Sequence, residues 1–258
     1  LLKIAPATAI KELKTLNTQI GVEKAENIND NTLVIKTEEK IFERPLSSNL
    51  FNSSLTTNKK SDTTEKIKLF MSLFRGRDDV FARRWENNKK DKSGYSPACA
   101  NEWQPGVCRK PKTSCSECKH KDYLVLNEEE VDDHLRGRNN LVVGIFPMLM
   151  NETCYFLAID FDDEGWQKDI KTLREICTTY EISVAVERSR SGNGAHAWFF
   201  FEQPISAYLA RKFGSSLLTS AMSRQHDITF KSYDRLFPNQ DTMPKGGFGN
   251  LIALPLQK

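Results

Sequence analysis

The run Cys154 to Asp162, CYFLAIDFD, constrains the fold more than any other stretch of the chain. It is rich in aromatic and aliphatic residues, too short for a buried helix, and it ends abruptly in acids. It therefore reads as a strand buried along most of its length. Such a strand needs cover, and the sequence after it supplies helices and further strands. Trp166, Ile170, Leu173, Ile176, Cys177 and Tyr180 fall on one helical stripe. Ile182 to Val186 reads as a second strand, and Ala195 to Phe201 (AHAWFFF) as a third after a glycine-bearing loop. Leu209, Phe213, Leu217 and Leu218 mark a helix over Ala207 to Met222, and Ile228 to Phe230 and Leu251 to Leu254 read as two more strands. Strands interleaved with two helices predict a sheet covered by helices, an α/β or α+β domain.

Upstream the character changes. Residues 1 to 62 read as a polar, flexible arm, because the stretch SSNLFNSSLTTNKKSDTT from Ser47 to Thr64 is too polar to offset the entropy of ordering it. Within the arm, Ala9 to Leu16 has the pattern of two helical turns and Thr32 to Ile35 that of a short strand. From Glu65, the residues Ile67, Phe70, Met71 and Phe74 recur at helical spacing up to Gly76, which places a domain boundary near residue 63 and one domain over 63–258. The apolar fraction of 39% and the charged fraction of 28% suit a globular core with a polar appendage. The longest apolar candidate, Leu141 to Met150, holds Gly144 and Pro147 and falls well short of the roughly 20 residues of a membrane-spanning helix. The N-terminus has no basic segment followed by a long apolar one, so a cytoplasmic protein without a secretory leader is expected. The start at Leu1 rather than Met reads as an excised piece of a longer chain or as a processed product.

A net charge of +3 neither demands nor excludes a nucleic acid, but its distribution is informative. Residues 109–121 carry Arg109, Lys110, Lys112, Lys119 and Lys121 against Glu117 alone. Residues 83–92 carry Arg83, Arg84, Lys89, Lys90 and Lys92 against two acids, with Trp85 among them. Four acids crowd into five positions at Asp160, Asp162, Asp163 and Glu164.

Four of the six cysteines, Cys99, Cys108, Cys115 and Cys118, lie within twenty residues. The closing Cys-x-x-Cys lets two thiolates of one tight turn face one ion, and a second pair completes a tetrahedral site. Disulfides are the alternative, but nothing points to an oxidising compartment, so structural zinc in an insertion over about 95–123 is the preferred reading. His120 is close enough to replace one thiolate. Cys154 and Cys177 fall inside apolar patterns and read as core.

Asp160 and Asp162 share one face of their strand by period two, with Phe161 on the other. Two ionised carboxylates side by side repel, and a divalent cation relieves that repulsion. The plain alternative is a solvated strand end leading into the acidic first turn of a helix. The loop Arg188-Ser189-Arg190-Ser191-Gly192-Asn193-Gly194 leads to His196, and its arginines, hydroxyls and glycines suit phosphate oxygens although no P-loop pattern is present. Asp234 and Asp241 are the claimants for a third carboxylate. Asp234 is preferred, as the end of a strand running from Ile228, while Asp241 sits in a turn-prone stretch.

Taken together, an Asp-x-Asp at a strand end, a basic Gly-Asn loop leading to His, and a later Asp resemble the archaeo-eukaryotic primase superfamily. Within it the chain is most similar to the primase-polymerase domain of TOTE conflict systems, close to CRISPR-associated primase-polymerases. The stretches that carry the resemblance are Tyr95 to Cys99, Asn101 to Trp103, Leu157 to Asp162, Glu187 to Trp198, Tyr233 to Asp241 and Gly249 to Gln257. Gly194 stands where the broad superfamily has Ser, leaving Ser191 to supply a hydroxyl.

The resemblance implies an RRM-like catalytic sheet, an N-terminal α/β module, and a zinc-binding insertion beside the cleft between them. It implies template-directed nucleotidyl transfer with two Mg²⁺ or Mn²⁺ ions on Asp160, Asp162 and Asp234. The triphosphate would be held by His196, Ser191, Asn193 and Arg190, with Arg188 a weaker candidate. The implied partners are a single-stranded DNA template and primer, nucleoside triphosphates, and a helicase or CRISPR-related proteins. The basic segments, with Trp85, Tyr95 and Trp103, suit phosphate contacts and base stacking. A metal-dependent nuclease using the same acids, and a non-catalytic zinc module binding single strands, are the rival readings.

Overall fold

The computed structural model describes residues 57–257, apart from 59, 88 and 225–230. The helix expected over Ala9 to Leu16 and the strands expected over Thr32 to Ile35 and Ile228 to Phe230 lie outside the described residues. Asp62–Lys258 forms one unit. It is a mixed α/β structure of two antiparallel sheets. In chain order the elements are α1 (Thr63–Leu73), β1 (Ala82–Asn87), β2 (Lys92–Pro97), α2 (Glu128–Arg136), β3 (Val143–Ile145), β4 (Thr153–Asp162), α3 (Trp166–Thr179), β5 (Ala185–Arg188), β6 (Gly194–Ser206), α4 (Ala207–Arg224), β7 (Tyr233–Phe237) and β8 (Ile252–Ala253).

Helix starts follow local chemistry. The Asp62 carboxylate accepts the Glu65 N–H at the head of α1, and the Asn127 side chain accepts the Glu130 N–H at the head of α2. Each satisfies a donor the helix cannot pair itself, worth about 1 kcal/mol. Helix α1 stops at Phe74, short of Gly76, where an added Cβ would come within 2.6 Å of the Phe146 carbonyl. The expected strand over Ile182 to Val186 is displaced to Ala185–Arg188. Ile182 is drawn to the end of α3 instead, where its N–H donates to the Cys177 carbonyl at 2.8 Å.

The second sheet has the order β5-β6-β4-β7 and carries the molecule's larger core on one face. Leu157, Ile159 and Phe161 of β4 and Ala195, Ala197 and Phe199 of β6 pack there against Ile170 and Leu173 of α3 and Leu217 and Ala221 of α4. The opposite face begins apolar. Phe156, Ala158 and Trp198 join Val143, Ile145 and Ile252 of the first sheet, order β2-β1-β3-β8, together with Ile67 and Phe70 of α1. Toward the C-terminal end of β4 this second face turns polar, at Asp160 and Asp162. The same strand therefore has one fully apolar face and one face that changes character midway, which is why its sequence shows no clean alternation.

Residues 98–123 lie between β2 and α2 and consist of turns, tied by a single bridge between Cys99 and Tyr123. Among the described residues no helix is long and apolar enough to cross a membrane.

Candidate metal and nucleotide site

Strand pairing assembles the acidic face. Asp160 lies directly across from His196 on β6 and from Arg235 on β7, and Asp162 lies across from Gly194. Asp160, Asp162 and Asp234 each offer an oxygen within 4.8 Å of the others. Asp160 is buried, Asp162 half-buried and Asp234 exposed, so the cluster opens outward from a buried base.

Asp234 reaches the cluster by a route the sequence pattern did not anticipate. It is the second residue of β7, not the end of a strand. The β4–β7 register shifts there, with Asp160 opposite Arg235 but Phe161 opposite Tyr233, leaving Asp234 as the extra residue of a β-bulge. In a regular strand Asp234 and Arg235 would face opposite ways. The bulge lets both share the carboxylate face while Tyr233 and Leu236 pack toward the helices. The Asp234 carboxylate accepts from Arg235 Nε at 2.5 Å. Asp241 is elsewhere, paired with Arg211 of α4 at 2.5 Å.

The electrostatics fit a cation. Burial pushes Asp160 up to about 6, with the charge of His196 opposing that rise and those of Asp162 and Asp234 adding to it. Asp160 Oδ1 is buried with no hydrogen-bond partner, although His196 Nε2 stands 3.4 Å away. An unpartnered buried carboxylate oxygen is costly, and a divalent ion held by three carboxylates would remove that cost.

His196 is oriented by a residue the sequence reading did not assign. Glu187 of β5 lies directly across from it and accepts from His196 Nδ1 at 2.9 Å and from Trp198 Nε1 at 3.3 Å. The ring is thereby turned so that Nε2 faces Asp160. Burial works against its charged form, but Glu187 and Asp160 outweigh that and raise its pKa above the ordinary value. The signal lies in strand register, not in the residues next to Glu187. Arg188 pairs with Ala195 across a short turn, and counting back one position sets Glu187 opposite His196.

The loop between them divides its duties. Arg188 donates from Nε and Nη2 to the Gly192 carbonyl at 2.8 and 2.6 Å, so its guanidinium braces the loop. Arg190, Ser191 and Asn193 are exposed, and the Ser191 hydroxyl lies 3.1 Å from that of Ser189. Gly194 must be glycine. An added Cβ would stand 2.4 Å from the Phe161 carbonyl oxygen and 2.6 Å from Asp162 Oδ1, which accounts for the departure from Ser at this position.

Cys99, Cys108, Cys115 and Cys118 line one pocket together with His120 and Tyr123, and none of the six cysteines is in a disulfide. Burial, with the neighbouring charges of Cys115, Cys99 and Cys118, pushes the Tyr123 phenol up to about 12. Its hydroxyl donates to the Cys115 carbonyl at 2.6 Å. Lys110 is held by Glu102 at 2.7 Å, and Lys121 donates to the Ser116 carbonyl at 3.0 Å. Trp103 is 67% exposed with Lys110 Nζ 5.8 Å from its ring centre, and Trp85, 43% exposed, lies over Gly94. Tyr95 instead packs against the small core of Val80, Ala82 and Phe146.

A mixed α/β domain with an acidic triad on one sheet face, able to hold a divalent cation, is the class that fold and site define. The archaeo-eukaryotic primase domain of TOTE conflict systems matches residues 65–258, and the chain belongs to that family. No curated protein sequence matches the chain. Family membership points to primase-like nucleotidyl transfer, with nucleic acid and nucleotides as the ligand classes.

Proposed function

We propose that the chain is a primase-polymerase domain that transfers nucleotidyl groups from nucleoside triphosphates under the direction of a DNA template. The observation that carries this reading is the triad of Asp160, Asp162 and Asp234 on one sheet face, beside a histidine oriented toward it. The strand order β5-β6-β4-β7 with α3 and α4 on one face supports an RRM-like catalytic sheet. Asp160, Asp162 and Asp234 would hold Mg²⁺ or Mn²⁺. Those ions, when bound, lower the pKa of the attacking hydroxyl and stabilise the leaving pyrophosphate.

The chain's own residues do the rest. His196, held by Glu187, presents Nε2 beside Asp160, where it would reach a triphosphate bound at the triad, and Arg190, Ser191 and Asn193 offer donors from the loop that ends beside Asp162. Asp234 begins paired to Arg235, and release of that arginine would free the carboxylate for a cation and the guanidinium for phosphate. The four thiols lining one pocket are the donor set of a structural zinc, which would close the turns of residues 98–123. Trp103, Trp85 and the basic residues around them suit a single-stranded template.

The test is incubation with a primer-template, nucleotides and Mn²⁺. Extension supports the reading. Degradation of the strands would indicate a nuclease, and retardation without chemistry a binding module.

A further inference from the structure

Asp169 is a buried carboxylate that the proposed chemistry does not use. It lies in the first turn of α3, where an acid favours the helix dipole and could remain in water at no cost. Instead it is 7% exposed, and its Oδ2 accepts from the Ser232 hydroxyl at 2.6 Å and the Ser232 N–H at 3.4 Å. Ser232 is itself buried, and its carbonyl accepts the Asp162 N–H at 2.7 Å. One carboxylate thus links α3, the entry to β7 and the end of β4. Ser232 is two residues before Asp234, immediately upstream of the bulge.

We propose that Asp169 is a positioning residue for the third metal ligand, clasping Ser232 so that the bulge in β7 keeps Asp234 turned toward Asp160 and Asp162. The physical case is one of cost and geometry. A bulge leaves a residue outside the ladder, so the strand around it needs an anchor to hold one conformation. Burying a carboxylate is expensive unless hydrogen bonds compensate it, and here the compensation fixes the backbone that carries Asp234 and the amide of Asp162 together. A neutral side chain would satisfy Ser232 with a smaller desolvation cost. The register shift isolates Asp234, and the clasp secures both β-strands beside the shift.

The proposal rests on the triad binding a divalent cation, and its test separates the two. Mn²⁺ binding by the full chain is measured by electron paramagnetic resonance for wild type, Asp169→Ala, Asp169→Asn, Ser232→Ala and Asp234→Ala. Hydrogen exchange at the Asp162 amide is measured without metal. Asp169→Ala and Ser232→Ala are expected to weaken Mn²⁺ binding about tenfold or more, the usual cost of losing a group that orients a ligand. They are also expected to speed Asp162 amide exchange. Asp169→Asn keeps an acceptor for the Ser232 hydroxyl and should stay within about threefold of wild type. If the Asp169→Ala chain does not fold, Ser232→Ala carries the test.

Unchanged Mn²⁺ affinity in folded Asp169→Ala or Ser232→Ala, with only a lower melting temperature, would reduce Asp169 to a packing role and overturn the proposal. Asp234→Ala binding Mn²⁺ as tightly as wild type would overturn it as well, by removing the ligand being positioned. Normal Mn²⁺ binding without primer extension by wild type would end the polymerase reading and leave the clasp standing.

Discussion

The carboxylate face of the second sheet and the cysteine-bearing turns of residues 98–123 both gather ligands of one chemical kind, yet they are built by opposite means. Asp160, Asp162 and His196 sit on paired strands whose backbone hydrogen bonds set their spacing before any ion arrives. The four cysteines sit on turns whose two ends are tied to each other by one bridge between Cys99 and Tyr123. Among the described residues the acidic triad is the group whose ligand atoms approach within 4.8 Å of one another, while the thiols line a pocket more loosely. A catalytic ion needs ligands held in place by the fold, whereas a structural ion supplies the fold around it. The contrast predicts that metal loss should empty the first region and unfold the second.

The largest effect expected is at the buried base of the triad. Asp160→Ala should lower primer extension by about three orders of magnitude, since transition-state charge stabilisation by the ions is worth several kcal/mol and each 1.36 kcal/mol is tenfold. Near-normal extension would remove the triad from the chemistry. Gly194→Ala tests how rigid that region is. With Cβ forced to 2.4 Å from Phe161 O and 2.6 Å from Asp162 Oδ1, it should destabilise the fold by about 1–3 kcal/mol and weaken Mn²⁺ binding. Unaltered Mn²⁺ titration would show that the strand yields readily.

Cys118→Ser addresses the other region. Elemental analysis should find one zinc per wild-type chain and a reduced content in the variant, with lower folded yield but unchanged Mn²⁺ affinity in the protein that folds. Metal-free wild-type protein would break the comparison at its second half. Acidity offers a finer probe of the first. Asp160 is pushed up to about 6 from 3.8, so the metal-free fold favours its protonated form. That preference stabilises the fold at low pH and is lost as pH rises through 6. Because Mn²⁺ needs the ionised form, its addition should raise the melting temperature more at pH 7.5 than at pH 5.5. Equal shifts at both would place the ion elsewhere.

The smallest effect expected concerns nucleic-acid affinity. Replacing Lys112 and Lys121 with Ala should flatten the salt dependence of single-strand binding by about 0.7 per lost phosphate contact. An unchanged slope would move the template path away from the cysteine-bearing turns.

Much of this molecule was legible without coordinates. The apolar run ending at Asp162, the helical stripe from Trp166 and the second stripe over Ala207 to Met222 all predicted elements that form close to the expected bounds. They were readable because each pattern reflects burial of a face, and burial is written in every second or every third and fourth residue. The pairing of Asp160 with Asp162 was readable for the same reason. The place of Asp234 was not. Period-two reasoning extended a strand from Ile228 and put the acid at its end, whereas the acid sits in a bulge one residue out of register.

A bulge changes which face a residue joins, and nothing local to Tyr233-Asp234-Arg235 specifies it. It is set by β4 alongside and by the Asp169–Ser232 clasp from a helix more than sixty residues earlier in the chain. Glu187 belongs to the same class. Its neighbours in sequence mark it as an ordinary strand residue, and only the register of β5 on β6 makes it the partner of His196. The sequence by itself determined the elements, the acidic strand end and the cysteine spacing, because these depend on contacts within one element or one turn. Tertiary structure decided which carboxylate completes the triad and which acid orients the histidine. Those choices depend on register between strands, and register is a property of pairs.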